Sequence, residues 1–184
     1  AAIPDTNHDF GRDIIPALTR AGLTYAYDFT QNRIPGTTSD EQPYWRDVGT
    51  IEAYYEANLD LKAVSPQLNL YNWKWPIMTA SYNDPPAKFV FDESGRRGEA
   101  VQSVVSPGCL LAGGYVKDSL LGRNVFLDAG SEVRDSILMD NVVVGPGARV
   151  RRAIIDKNVH IQPGQTVGYD LEADRKRYHI SPTG

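Results

Sequence analysis

Cysteine is almost missing from this sequence. Cys109 stands alone, which excludes an internal disulfide framework and leads us to expect a reducing, cytoplasmic setting. The three histidines, His8, His160 and His179, are scattered and give no zinc-ligand spacing. No run approaches the ~18 consecutive apolar residues of a membrane span, so none is expected. Ala1 to Asp9 has neither a basic start nor an apolar stretch, so no signal peptide is expected there. A basic excess is also lacking: 19 Lys and Arg against 23 Asp and Glu leave a net charge of −4. That balance argues against general nucleic-acid binding. The 184 residues suffice for one ordinary domain or two small ones.

What is present is a repeat. From Val101 to Gly168 like residues recur every 17 positions. Val116, Val133, Val150 and Val167 form one column, Val125, Val142 and Val159 a second, and Leu120, Ile137 and Ile154 a third. Val104, Leu121, Leu138 and Ile155 read as a fourth. Gly113, Gly130, Gly147 and Gly164 form a glycine column, and Asn124, Asn141 and Asn158 an asparagine column. Such columns mean that each period is one coil stacked on the next. Gly and Asn tolerate the left-handed backbone of a tight corner. A helical solenoid needs roughly 33 or more residues per repeat, whereas 17 fit three short strands joined by corners. The pattern therefore predicts a left-handed parallel β-helix of hexapeptide type with about four coils, one side of each coil being a residue short. Val150 between Arg149 and Arg151 shows the in–out alternation of a strand.

Before the repeats, Phe10, Ile14, Ile15 and Leu18 lie on one face of a helix over His8 to Arg20, which Pro16 interrupts or restarts and Gly22 ends. Tyr25 to Phe29, Tyr44 to Thr50 and Asn69 to Pro76 read as strands. Thr50 is placed to cap a helix carrying Ile51, Tyr54, Tyr55 and Leu59 on one face. Asp47 then sits where a strand hands over to a helix, a usual place for functional groups in α/β sheets. With Asn69 to Pro76 set apart at the domain junction, the remaining two strands and two helices cannot bury both faces of a sheet, so this part is expected to dock on something outside the chain. The organisation expected is an α/β portion over 1–84, a linker over 85–100, and the β-helix with its tail over 101–184, with a helix within Asp170 to Arg177.

Three stretches carry a family resemblance: Asn7-His8-Asp9-Phe10-Gly11-Arg12-Asp13-Ile14-Ile15-Pro16, Pro43-Tyr44-Trp45-Arg46-Asp47-Val48-Gly49-Thr50 with Glu56-Ala57-Asn58-Leu59-Asp60-Leu61, and Pro85-Pro86-Ala87-Lys88-Phe89-Val90. Arg151-Arg152-Ala153-Ile154-Ile155-Asp156-Lys157 and Glu172-Ala173-Asp174-Arg175 extend it. Together they resemble ADP-glucose pyrophosphorylase (glucose-1-phosphate adenylyltransferase). The resemblance implies the C-terminal part of a Rossmann-like nucleotidyltransferase domain followed by a left-handed β-helix. It also implies a cytoplasmic homotetramer that makes ADP-glucose and pyrophosphate from ATP and glucose 1-phosphate for glycogen synthesis. The family's Gly-rich nucleotide loop, first metal-binding aspartate and Glu-Lys-Pro motif have no counterpart here. No catalytic residue is therefore assigned, and the chain alone is expected to be inactive without a missing N-terminal portion.

By the same resemblance Asp47 is the second Mg²⁺ carboxylate, a hard oxygen donor suited to that ion. Asp9, Phe10 and Trp45 bind glucose 1-phosphate. Lys157, with Arg149, Arg151 and Arg152, binds phosphorylated allosteric effectors, although the family often carries arginine at Lys157. Each assignment has a plainer alternative: a turn cap for Asp47, a helix cap for Asp9, core for Phe10 and Trp45. For Lys117, Arg134 and Arg151, a column at the 17-residue period, the alternative is a solvated face. Two other functions remain open at this point. One is a non-catalytic β-helix module for assembly or effector binding, and the other a different sugar-1-phosphate nucleotidyltransferase.

Overall fold

The computed structural model describes residues 8–38 and 41–183. The chain forms two compact units, Ala1–Pro43 and Tyr44–Gly184.

In the first unit, Phe10–Ile14 makes a widened turn and α1 (Ile15–Arg20) follows. Pro16 lies at the start of α1, where its missing N–H costs nothing, so it restarts the helix rather than breaking it. Gly22, at φ 68°, ends it, with the Gly22 N–H on the Thr19 carbonyl and the Leu23 N–H on the Leu18 carbonyl. Tyr25 to Phe29 is not a strand, and Phe29–Gln31 is instead a 3₁₀ turn.

The second unit is built on a three-sided parallel β-solenoid of about four turns. Its first face pairs Glu99–Val101, Tyr115–Lys117, Glu132–Arg134, Arg149–Arg151 and Thr166–Val167. The second pairs Val104–Val105, Leu120–Leu121, Ile137–Leu138 and Ile154–Ile155. The third pairs Lys88–Phe89, Leu110–Leu111, Phe126–Leu127, Val143–Val144 and His160–Ile161. Val116, Val133, Val150 and Val167 stack in register, and all four are buried. Fully burying an aliphatic side chain contributes roughly 1.5–3 kcal/mol, so each member of this inner column stabilises the solenoid on that scale.

One expected column is corrected. Val104 pairs with Leu120 and Val105 with Leu121, so Val105 joins Leu121, Leu138 and Ile155. The cause is the corner after Leu111, where Ala112, Gly113 and Gly114 turn the chain that Asp128 to Ser131 turn one coil later. Gly113, at φ 110°, permits the shorter route.

Two of the three corners are the expected glycine and asparagine columns, all in the left-handed region. At the remaining corner Gln102, Asp118, Asp135 and Arg152 have φ between 45° and 52°. A serine follows each of the first three. Ser103, Ser119 and Ser136 donate to the carbonyls of Val101, Lys117 and Arg134, and each hydroxyl also accepts a backbone N–H from the next coil.

The segment read as a linker contributes the strand Lys88–Phe89, which pairs with Leu110–Leu111 and extends the third face. The expected strands over Tyr44–Thr50 and Asn69–Pro76 do not form. A strand exists only when its backbone groups are paired, and no extended segment among the described residues before Lys88 supplies a partner. Of the α/β portion, the helices are realised and the strands are not.

Thr50 caps α2 (Ile51–Asp60), its hydroxyl accepting the Ala53 N–H at 3.1 Å. This helix and the turn after it lie along the serine corner. The Tyr55 hydroxyl donates to the Asp135 carbonyl, Lys62 pairs with Asp118 at 2.9 Å, and the Gln102 amide donates to the Lys62 carbonyl at 3.2 Å. Burial and the Asp135 carboxylate push the Tyr55 hydroxyl above its usual pKa. α3 (Leu171–Arg175) follows the last coil. Its buried Asp174 accepts the Gly168 N–H at 2.8 Å and pairs with Arg177 at 3.2 Å. No helix among the described residues is long and apolar enough to cross a membrane.

Candidate functional site

Tyr44 to Thr50 runs extended into α2, so neighbouring side chains leave it in opposite directions. Arg46 pairs with Glu56 of α2 at 2.9 Å, while the neighbouring Trp45 is 75% exposed. Asp47 is exposed as well, and one of its oxygens accepts the Gly49 N–H at 3.0 Å. The turn-capping alternative is thus realised, but it occupies only that oxygen. Among the described residues no three His, Cys, Asp or Glu side chains gather to hold a metal ion. Mg²⁺ commonly takes only one or two protein carboxylates, the rest of its shell coming from water and substrate phosphates. Asp47 fits as a single ligand to such an ion and not as a complete site.

In the first unit, Asp9 caps the turn at Phe10, accepting the Arg12 N–H at 2.8 Å. Phe10 is 75% exposed. Neither ring singled out in the sequence, Phe10 or Trp45, belongs to a core.

A cleft of about 440 Å³ lies between α2 and the second face of the solenoid. Tyr54, Asn58 and Leu61 line one wall, Leu120, Ile137 and Met139 the other, with Leu70 at the margin. Two charged residues line it, Asp140 and Lys157. Lys157 is therefore where a ligand with an apolar body and an anionic group would be met. The ammonium has no carboxylate partner among the described residues.

The basic cluster seen in the sequence is divided by the fold. Lys117, Arg134 and Arg151 do stack in register on the first face. Arg134 is tied to Glu132, which holds its guanidinium more firmly protonated. Arg149 and Arg151 lie against the Tyr169 ring, 4.7 and 5.6 Å from its centre. Arg152 sits at the serine corner. Lys157 belongs to another corner, beside the asparagine column, and only it lines the cleft.

One group was not visible as a site in the sequence. Arg123 forks onto Asp84, with Nη2 3.0 Å from Oδ1 and Nε on Oδ2, and its Nη1 reaches Asp140 at 3.3 Å. Its guanidinium also lies 3.3 Å from the centre of the Tyr82 ring. These contacts join residues about 40 positions apart. Only the 17-residue spacing of Arg123, Asp140 and Lys157 signals part of the arrangement.

Two family models match the chain. The family described as GlmU-like, C-terminal hexapeptide matches residues 85–184, and the nucleotidyl transferase family matches residues 2–64. The chain is 53% identical to a glucose-1-phosphate adenylyltransferase of Anaeromyxobacter dehalogenans, over 100% of this chain and 45% of the relative. It is 51% identical to the enzyme so named from Geobacter metallireducens, over 96% of this chain and 43% of that protein. For the Methylococcus capsulatus protein of the same name the identity is 47%, over 100% and 42%. The chain thus spans less than half the length of these relatives.

Proposed function

The chain belongs to the glucose-1-phosphate adenylyltransferase family, its second half being a GlmU-like hexapeptide solenoid, and from that premise we propose that it is the C-terminal portion of an enzyme making ADP-glucose. The reaction joins glucose 1-phosphate to the adenylyl group of ATP and releases pyrophosphate. The observation that carries this reading is the similarity along the whole chain to proteins of that one name.

In this reading the residues divide the work. Asp47 offers its oxygen to Mg²⁺, which when bound neutralises charge on the reacting phosphates. Trp45 presents an exposed ring to the sugar, as does Phe10, and Asp9 accepts hydrogen bonds from sugar hydroxyls. The chain carries no Gly-rich phosphate loop and no Glu-Lys-Pro motif, so these groups position substrates whose reacting phosphates are held by residues elsewhere. Alone, the chain does not turn over. Lys157 serves as the anion anchor of a cleft for phosphorylated effectors, with an ammonium point charge where a guanidinium would grip phosphate bidentately. The enzyme works in the cytoplasm as a homotetramer.

The test uses a chimera in which this chain replaces the corresponding part of the Anaeromyxobacter dehalogenans relative. Asp47→Asn is expected to lower kcat by at least 100-fold and to raise the Mg²⁺ requirement. Lys157→Ala is expected to blunt activation by sugar phosphates with little change in basal rate. Unchanged turnover in the Asp47 variant would remove it from the metal site, and an intact effector response in the Lys157 variant would leave the cleft without this role.

A further inference from the structure

Arg123, Asp140 and Lys157 occupy equivalent positions on three successive coils. Backbone bonds fix that stacking: the Asn141 N–H donates to the Arg123 carbonyl at 2.8 Å, and the Asn158 N–H to the Asp140 carbonyl at 2.9 Å. The Asp140 backbone therefore lies one strand spacing, about 4.8 Å, from that of a cationic residue on either side. An aspartate so placed can neutralise only one of them fully. Here both of its oxygens turn toward Arg123, Oδ1 accepting the Arg123 N–H at 2.8 Å and Oδ2 lying 3.3 Å from Nη1. Arg123 is itself locked by the fork onto Asp84 and by the Tyr82 ring. Lys157, on the other side, has no ion pair among the described residues and faces the cleft.

From this asymmetry we infer that Arg123 is a positioning residue for anion binding: by holding the Asp140 carboxylate, it keeps the Lys157 ammonium available to a phosphate-bearing ligand in the cleft. The inference rests on the reading of the cleft as an anion site and deepens it. It assigns a specificity role to Asp140 as well. A held carboxylate at the cleft wall disfavours an anion that spreads its charge toward Arg123 and confines the phosphate to the Lys157 end. Lysine cannot replace Arg123, because one ammonium cannot fork Asp84 and reach Asp140 together.

The experiment is isothermal titration of the 184-residue chain with inorganic pyrophosphate, followed in parallel by tryptophan fluorescence. Lys157→Ala should abolish the uptake seen in the unmodified chain. Arg123→Met should weaken it about tenfold, the scale of losing one charge-assisted contact, because Oδ2 of Asp140, released from the guanidinium while Oδ1 stays on the backbone N–H of residue 123, is drawn to Lys157. Arg123→Met with Asp140→Asn should restore it, which a loss of packing alone would not do. Asp140→Asn by itself tests the same point should the methionine variant not fold, and it should bind as well as or better than the unmodified chain. No uptake by the unmodified chain would sink the cleft as an anion site. Uptake that needs Lys157 but ignores Arg123, falls in Asp140→Asn, or stays low in the double variant would overturn the role of Arg123 and leave the cleft standing.

Discussion

The hydroxyl of Ser119 accepts the backbone N–H of Ser136 from the next coil at 3.1 Å while donating to the carbonyl of Lys117 at 2.7 Å. Both serines are buried. At this corner the Lys117 carbonyl also accepts the Asp135 N–H within the ladder, so what the hydroxyl supplies is a partner for the Ser136 N–H. Ser119→Ala should therefore leave a buried N–H unpaired and cost about 1–3 kcal/mol in urea unfolding. Ala153, which ends the row, has no hydroxyl, and Ala153→Ser should stay within about 0.5 kcal/mol of the unmodified chain.

Glycine is required at some corners and only preferred at others. A Cβ at Gly168, φ 79°, would strike the carbonyl of Arg151, so Gly168→Ala should disrupt the docking of α3 and lower the unfolding midpoint sharply. Gly147, φ 66°, has nothing within 4 Å of such a Cβ. Gly147→Ala should cost only about 1–2 kcal/mol, the left-handed penalty, and Gly147→Asn less. Comparable losses at both sites in thermal unfolding would contradict this distinction.

The Asp84 carboxyl is held below the usual carboxylate range, chiefly by the hydrogen bonds from Arg123. A depressed folded-state pKa contributes stability that is present above the unfolded value, ~3.9, and is lost as pH falls through the folded one. The stability gap between the unmodified chain and Asp84→Asn should accordingly be full at pH 7 and shrink only below about pH 4. Denaturant midpoints of the two chains across that range measure it. A gap that closes between pH 7 and 5 would mean another group is responsible.

How much of this was legible depended on whether a feature repeats. The solenoid was readable because Val116, Val133 and Val150 meet at one constant offset, so stacking is written as periodicity. The exception, Val104, arose where Gly113 and Gly114 shorten a corner and shift the offset. The serine corner went unread because Asp118, Asp135 and Arg152 look like surface charge, and their turn geometry depends on the residue that follows. Tyr44 to Thr50 has strand composition, but composition does not supply a pairing partner. Asp47 and Trp45 are proposed through family likeness, and the fold adds that both are exposed and that the Gly49 N–H takes one oxygen of Asp47. The Arg123–Asp84 fork joins distant segments with no periodic trace, which is why only coordinates reveal it.

The most direct measurement is ADP-glucose formation by the chain alone and by the same chain joined to the upstream half of the Anaeromyxobacter dehalogenans relative, each given ATP, glucose 1-phosphate and Mg²⁺. The account predicts no product from the first and steady turnover from the second. Synthesis by the isolated chain, or a folded chimera that binds both substrates yet never turns over, would contradict it.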